Sequence, residues 1–179
     1  MAVIEAISTT YLEADAAVIT IDSIPSTYEH LQVAASLSSD AADLYSHLAG
    51  FYVNGDLVFG SYTKHMWQSS GAGAGYMGVS GSTGQNQVGY ANSIGVGRQT
   101  SGTFLIDILD YANTNKNTTW TALNGAWQSD RFYQWTSSSF WHTAASGSIT
   151  DAIDEITFDF VSGSFTRGST VTLYGINSS

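Results

Sequence analysis

The chain has 179 residues, of which 43% are apolar and only 11% charged, and 15 acidic against 5 basic side chains leave a net charge of −10. That length suits one domain burying roughly 70% of its unfolded surface. The lack of cysteine excludes a disulfide framework and a thiolate metal site, and the scattered cations Lys64, Arg98, Lys116, Arg131 and Arg167 form no basic stripe for nucleic acid or an anionic membrane.

Ser, Thr, Gly, Asn and Gln take the place of charges, which suits a surface packed among other protein copies. Five Trp, 10 Tyr and 8 Phe, with many Val, Ile and Thr, favour strands over helices. The N-terminal sequence has no basic n-region and carries Glu5 early, against a signal peptide. No apolar run approaches the roughly 20 residues of a membrane helix.

In chain order, residues 1–15 form an arm or a first element. Val3, Ile4, Ile7, Tyr11 and Leu12 are its apolar positions; 4, 7, 11 and 12 fit a helical face, which Ser8-Thr9-Thr10 weakens. Residues 16–179 make the main domain. Ala17–Asp22 reads as a strand, Pro25 breaks the chain, and Tyr28–Leu37 alternates again. Residues 38–50 fit either a capped short helix or a loop entering a strand. Asn54-Gly55 between apolar runs predicts a hairpin turn, with Ser61–Trp67 as the next strand.

Residues 69–102 hold ten glycines and read as short strands with long loops. Thr103–Leu109 is the clearest central strand, apolar on both faces except at Asp107. Asp110–Asn117 turns the chain. Thr118–Leu123 and Arg131–Trp135 flank a turn region at Asn124-Gly125, and Ser139–Ala145 follows. Ile156–Phe160 and Val171–Ile176 each place an apolar residue at every second position, predicting a hairpin-like pair that closes the sheet late. Phe165 plugs the core from their connection, and Gly168 permits a turn that a Cβ would hinder. These elements predict an all-β antiparallel sandwich, jelly-roll-like, with nine to eleven short strands and long Gly/Ser-rich loops.

Catalytic and metal signals are weak. His30, His47, His65 and His142 lack the paired spacing of a zinc site. Gly73-Ala-Gly75-Tyr-Met-Gly78 matches a dinucleotide fingerprint but lacks the strand-to-helix context that makes it work. No G-x-S-x-G elbow marks a serine. Asp107/Asp110 and Asp154/Glu155 are the carboxylate pairs, the second with side chains on opposite faces of a strand. The expectation is no enzyme, no cofactor and no metal. The aromatics Trp120, Trp127, Tyr133, Trp135 and Trp141 either pack a core or, if exposed, stack on sugars or on a neighbouring copy.

Four motifs occur in order: Asp22-Ser-Ile-Pro-Ser-Thr-Tyr-Glu-His-Leu-Gln32, Asn54-Gly-Asp56 with Ser61-Tyr62, Ile108-Leu-Asp110-Tyr-Ala-Asn-Thr114-Asn-Lys116, and Phe165-Thr-Arg-Gly-Ser-Thr-Val-Thr-Leu-Tyr-Gly-Ile176. Together they resemble a family of tailed-bacteriophage virion structural proteins, common in cyanophages, over residues 22–176. The resemblance implies a β-sandwich, oligomers (often trimers), and a place on the capsid or in tail and fibre assemblies. It transfers no catalytic motif. The expected function is therefore a capsid decoration (cement) protein in the virion, made in the bacterial cytoplasm, with the major capsid protein as partner and residues 1–15 as a docking arm. The alternative is a tail-fibre or receptor-binding domain that recognises host glycan through the aromatic cluster. Neither reading includes nucleic acid or a membrane.

Overall fold

A strand buried on one face needs an apolar residue at every second position, and most of this chain supplies it. The computed structural model describes residues 3–41, 47–71, 75–81, 86–93, 100–128, 131–141, 151–160 and 162–177. These hold twelve strands: β1 (Val3–Tyr11), β2 (Val18–Ile21), β3 (His30–Ser39), β4 (His47–Val53), β5 (Tyr62–Ser70), β6 (Gly75–Gly81), β7 (Gln87–Ser93), β8 (Gly102–Leu109), β9 (Thr118–Gln128), β10 (Arg131–Trp141), β11 (Ile156–Phe160) and β12 (Thr170–Asn177). One 3-10 turn, Phe59–Ser61, precedes β5. No α-helix occurs among the described residues.

Eight strands form a large antiparallel sheet in the order β1-β12-β3-β8-β9-β10-β5-β6. Four form a smaller antiparallel sheet, β2-β11-β4-β7. A parallel bridge of two residue pairs, Ser38↔Asn92 and Ser39↔Ser93, joins the layers at one corner. The fold is all-β, mostly antiparallel and sandwich-like, as the alternation predicts.

Between the layers, Leu31, Val33, Ile106, Ile108 and Leu173 of the large sheet meet Ile19, Phe51, Ile156 and Phe158 of the small one, all buried. Trp120 and Phe158 both lie edge-on to Phe51, with ring centroids 5.4 and 5.3 Å away, the arrangement aromatic quadrupoles favour. This closed aromatic layer is the platform on which the opposite face of the large sheet stands.

Four local expectations need correction. Residues 3–11 form a strand rather than a helix. A bulge between Ala6 and Ser8 in its pairing with β12 shifts the alternation by one. Apolar residues at 4, 7 and 11 then take helix-like spacing while the backbone stays extended. The last two runs are not a hairpin pair, because β11 belongs to the small sheet and β12 to the large one. Their connection crosses the rim of the core, where Phe165 is fully buried with its ring 4.1 Å from that of Phe160. Gly168 takes φ +92°, a left-handed conformation natural to glycine. The core plug and the special turn are therefore present, and only the pairing differs.

Asn54-Gly55 makes a left-handed turn, φ 51° and 65°, but it joins no hairpin. β4 pairs with β11 and β7, and β5 with β10 and β6. The Asn54 side chain donates to Ala152 O at 2.8 Å and accepts from Asp154 N at 3.0 Å. The indole of Trp141 binds Asp56 at 2.9 Å. These bonds hold the turn as a corner between sheets. Asn124-Gly125 is no turn either and lies inside β9. Buried Asn124 accepts from Tyr90 N at 2.8 Å and donates to Tyr90 O and Thr103 O at 3.1 and 2.9 Å. A polar residue there joins β7 to the large sheet. The possible helix at 38–50 falls partly on residues 42–46, outside the described residues; β4 begins at His47.

Candidate functional site: the outer face of the large sheet

The five aromatics singled out in the sequence do not form one surface. Trp120, Trp135 and Trp141 alternate inward and are 1–3% exposed, so they can stack on neither a sugar nor a neighbouring copy. Trp135 packs edge-on against Tyr90 at 5.4 Å, and Tyr90 in turn meets half-buried Tyr133 at 6.0 Å. Trp127 stands opposite Phe132 in the β9–β10 register and is half-buried. Core packing explains most of the cluster, and glycan stacking on it is withdrawn for the three buried rings.

The docking-arm residues are likewise divided. Val3, Ile4 and Tyr11 are exposed, whereas Ile7 and Leu12 pack against the core. Because β1 pairs along its length with β12, residues 3–11 belong to the sheet. Any contact with a neighbour must use their open edge or outer side chains.

The outer face of the large sheet is the surface that sequence reasoning missed. Alternation places Leu105 and Leu109 of β8, Leu123 of β9, Phe132 of β10 and Trp67 of β5 on this face, 39–52% exposed. Pairing aligns Ala34, Leu105, Leu123, Thr136 and Trp67 as one row across five strands. Leu105, Leu123 and Phe132 line a depression of about 300 Å³. The signal was present in the sequence, since β8 is apolar on both faces, more than one buried face requires.

The next two rows are different. Gln32, Asp107, Thr121, Ser138 and His65 align as a polar row. Beside it run Ile176, His30, Leu109, Thr119, Phe140 and Thr63. Apart from Gln32, the residues of the two rows line a cleft of about 560 Å³. Gln32 Nε2 donates to Asp107 Oδ1 at 2.7 Å and fixes that carboxylate. His30 Nδ1 accepts from Asp110 N at 3.1 Å.

Charge avoids this face. Among its described strand residues the only fixed charge is Asp107, although the chain carries −10. Asp110 lies in the β8–β9 turn and pairs with Lys116, whose hydrogen bond holds its carboxyl below the ordinary range. Elsewhere, Lys64 is 5% exposed between the sheets, 5.9 Å above the Trp135 ring and 3.2 Å from Gln87 Oε1. Burial lowers its pKa to about 8. Burial raises the Asp159 pKa, and its Oδ1 has no hydrogen-bond partner.

The remaining chemical candidates do not converge. Asp107 and Asp110 have different partners, Gln32 against Lys116 and His30. Asp154 and Glu155 offer backbone N–H groups to Asn54. Among the described residues no three His, Asp or Glu groups come together as a metal site. His142, Gly73 and the side chain of His47 lie outside what is described, and Gly75 and Gly78 sit in β6. No described helix is long and apolar enough to cross a membrane. No family model, curated protein or solved structure matches the chain.

Proposed function

We propose that the chain is a non-enzymatic virion structural protein, a capsid decoration (cement) protein that stabilises the head lattice as a trimer. The observation that carries this reading is the row of Leu105, Leu123 and Trp67, with Phe132 beside it, on a face whose described strand residues hold one fixed charge. Exposed apolar side chains grouped on one face mark an interaction surface. An interface core is depleted of charge and enriched in aromatics. The resemblance of the four motifs to those of tailed-phage virion proteins supplies the context, and the proposed partner is the major capsid protein.

The test uses particles that carry the protein. Immunogold labelling distributed over heads, in copy numbers of hundreds expected for a lattice protein, supports decoration. Gold confined to tails overturns it in favour of a fibre. Within the decoration reading, Leu123→Asp should abolish head occupancy while the isolated chain still melts cooperatively. Unchanged occupancy would exclude this face as the capsid contact.

A further inference from the structure

We infer that the cleft at the β8–β9–β10–β5 end of the outer face binds a neutral saccharide. Its volume of about 560 Å³ lies within the range of small-molecule sites. The class of ligand follows from the lining. Leu109, Phe140 and Ile176 supply an apolar wall, and Thr121, Ser138 and His65 supply hydrogen-bonding groups beside it. These groups lie on adjacent rows, two residues apart along each strand or about 7 Å. A pyranose ring has the matching shape, an apolar C–H face bordered by hydroxyls.

Charge narrows the class further. None of the residues lining the cleft is Lys or Arg, so phosphorylated or sulfated ligands gain nothing there and meet a net charge of −10. A free cation would find one carboxylate, Asp107, already bonded by Gln32. A hydrocarbon chain would desolvate the row of Thr121, Ser138 and His65 without giving hydrogen bonds back. A neutral polyhydroxylated ring satisfies both rows. Asp107, held at 2.7 Å by Gln32, is a preset acceptor for a sugar hydroxyl, and charge-assisted bonds of that kind are the stronger ones.

This places glycan recognition on the outer face rather than on the tryptophans of the core. It does not rest on the decoration reading, because the cleft is separate from the Leu105–Leu123–Trp67 row and its test uses the isolated full chain.

Saturation-transfer NMR provides the test, with methyl glycosides of glucose, galactose, mannose and N-acetylglucosamine, together with maltose, lactose and cellobiose, at millimolar concentration. Transfer to the ring protons of at least one neutral sugar is expected. Thr121→Trp, an exposed position at which the larger ring fills the cleft, should weaken binding at least tenfold with an unchanged melting temperature. Asp107→Asn, which keeps an acceptor for Gln32 but removes the charge, should weaken it several-fold. Absence of transfer to every member of the panel overturns the inference, as does transfer unaffected by Thr121→Trp. Tighter binding of glucose 6-phosphate than of glucose overturns it too, and so does transfer to the octyl tail of octyl glucoside without transfer to its ring.

Discussion

The two faces of β8 and β9 share the same backbone and the same hydrogen bonds, yet their side chains have opposite fates. Inward, Phe104, Ile106, Ile108 and Trp120 are 0–4% exposed; outward, Leu105, Leu109 and Leu123 are 39–51% exposed. Apolar character is common to both faces. What differs is the layer available to cover them, for a four-stranded sheet packs against one face of an eight-stranded one. Apolar content therefore marks where surface must be covered, and the topology decides whether the chain itself covers it.

The contrast is broken most directly at Trp120 and its outward neighbour. Trp120→Ala removes a ring that packs against Phe51 and Tyr62 and should cost about 3–5 kcal/mol, as truncation of a buried aromatic does. Phe165→Ala, at the fully buried plug, belongs in the same range. Thr121→Ala, one residue further along β9 and exposed, should stay within about 0.5 kcal/mol. Urea unfolding measures all three, and a Trp120 cost near that of Thr121 would erase the distinction between the faces.

Asn124 tests the same inner face with polar chemistry. Asn124→Leu keeps the branched outline and the number of side-chain heavy atoms but strips partners from Tyr90 N, Tyr90 O and Thr103 O. Leaving such groups unsatisfied should cost on the order of 1–3 kcal/mol. If the variant is as stable as the parent, the amide is not what joins β7 to the large sheet.

Lys64 extends the test to pH. Its folded pKa of about 8 lies below the ordinary 10.5, so burial penalises the protonated form. Below pH 8 both states hold the proton and the penalty is constant. Above pH 8 the folded state releases it first, so stability rises toward the unfolded pKa. Between pH 7 and 9.5 the gain should be about 1–2 kcal/mol by linkage. The window stops short of pH 10 because the buried hydroxyls of Tyr90 and Tyr111, whose pKa values burial raises, act in the opposite sense there. Lys64→Met should abolish the rise. A rise that persists in this variant would assign it to another group.

Much of the fold was legible in the sequence because alternation reports local geometry. Ile156, Phe158, Val171 and Leu173 read as core positions and are core, and the Phe165 plug followed from one aromatic in a polar connection. Pairing was harder to read. Asn54-Gly55 carries hairpin chemistry, yet Asn54 uses its side chain on Ala152 and Asp154, about a hundred residues away in sequence. Asn124-Gly125 carries the same dipeptide, but bonds to Tyr90 and Thr103 draw Asn124 into a strand. Such partners are invisible to any window of neighbouring residues. The candidate surface was hidden for a different reason. Tryptophan and tyrosine drew attention for their chemistry, but the largest rings also gain most from burial, and Trp120, Trp135 and Trp141 took it. The residues left outside on β8 and β9 were the leucines Leu105, Leu109 and Leu123, whose exposure only the layer count explains.

A small expected change in stability is also the sharpest test of the outer face. Leu105 and Leu123 are direct cross-strand partners, both 39–46% exposed, and such a pair contributes about 0.2–1 kcal/mol. Replacing both, Leu105→Ser with Leu123→Ser, should therefore lower the unfolding free energy by no more than about 1 kcal/mol. If the outer face is an interface, the same double variant should lose attachment to particles stripped of the protein, measured by co-sedimentation, by far more than its stability changes. A residue that matters for association but not for folding is covered by another molecule. Were stability to fall by several kcal/mol instead, the leucines would belong to the chain's own core, and the difference between the two faces of β8 and β9 would be one of degree only.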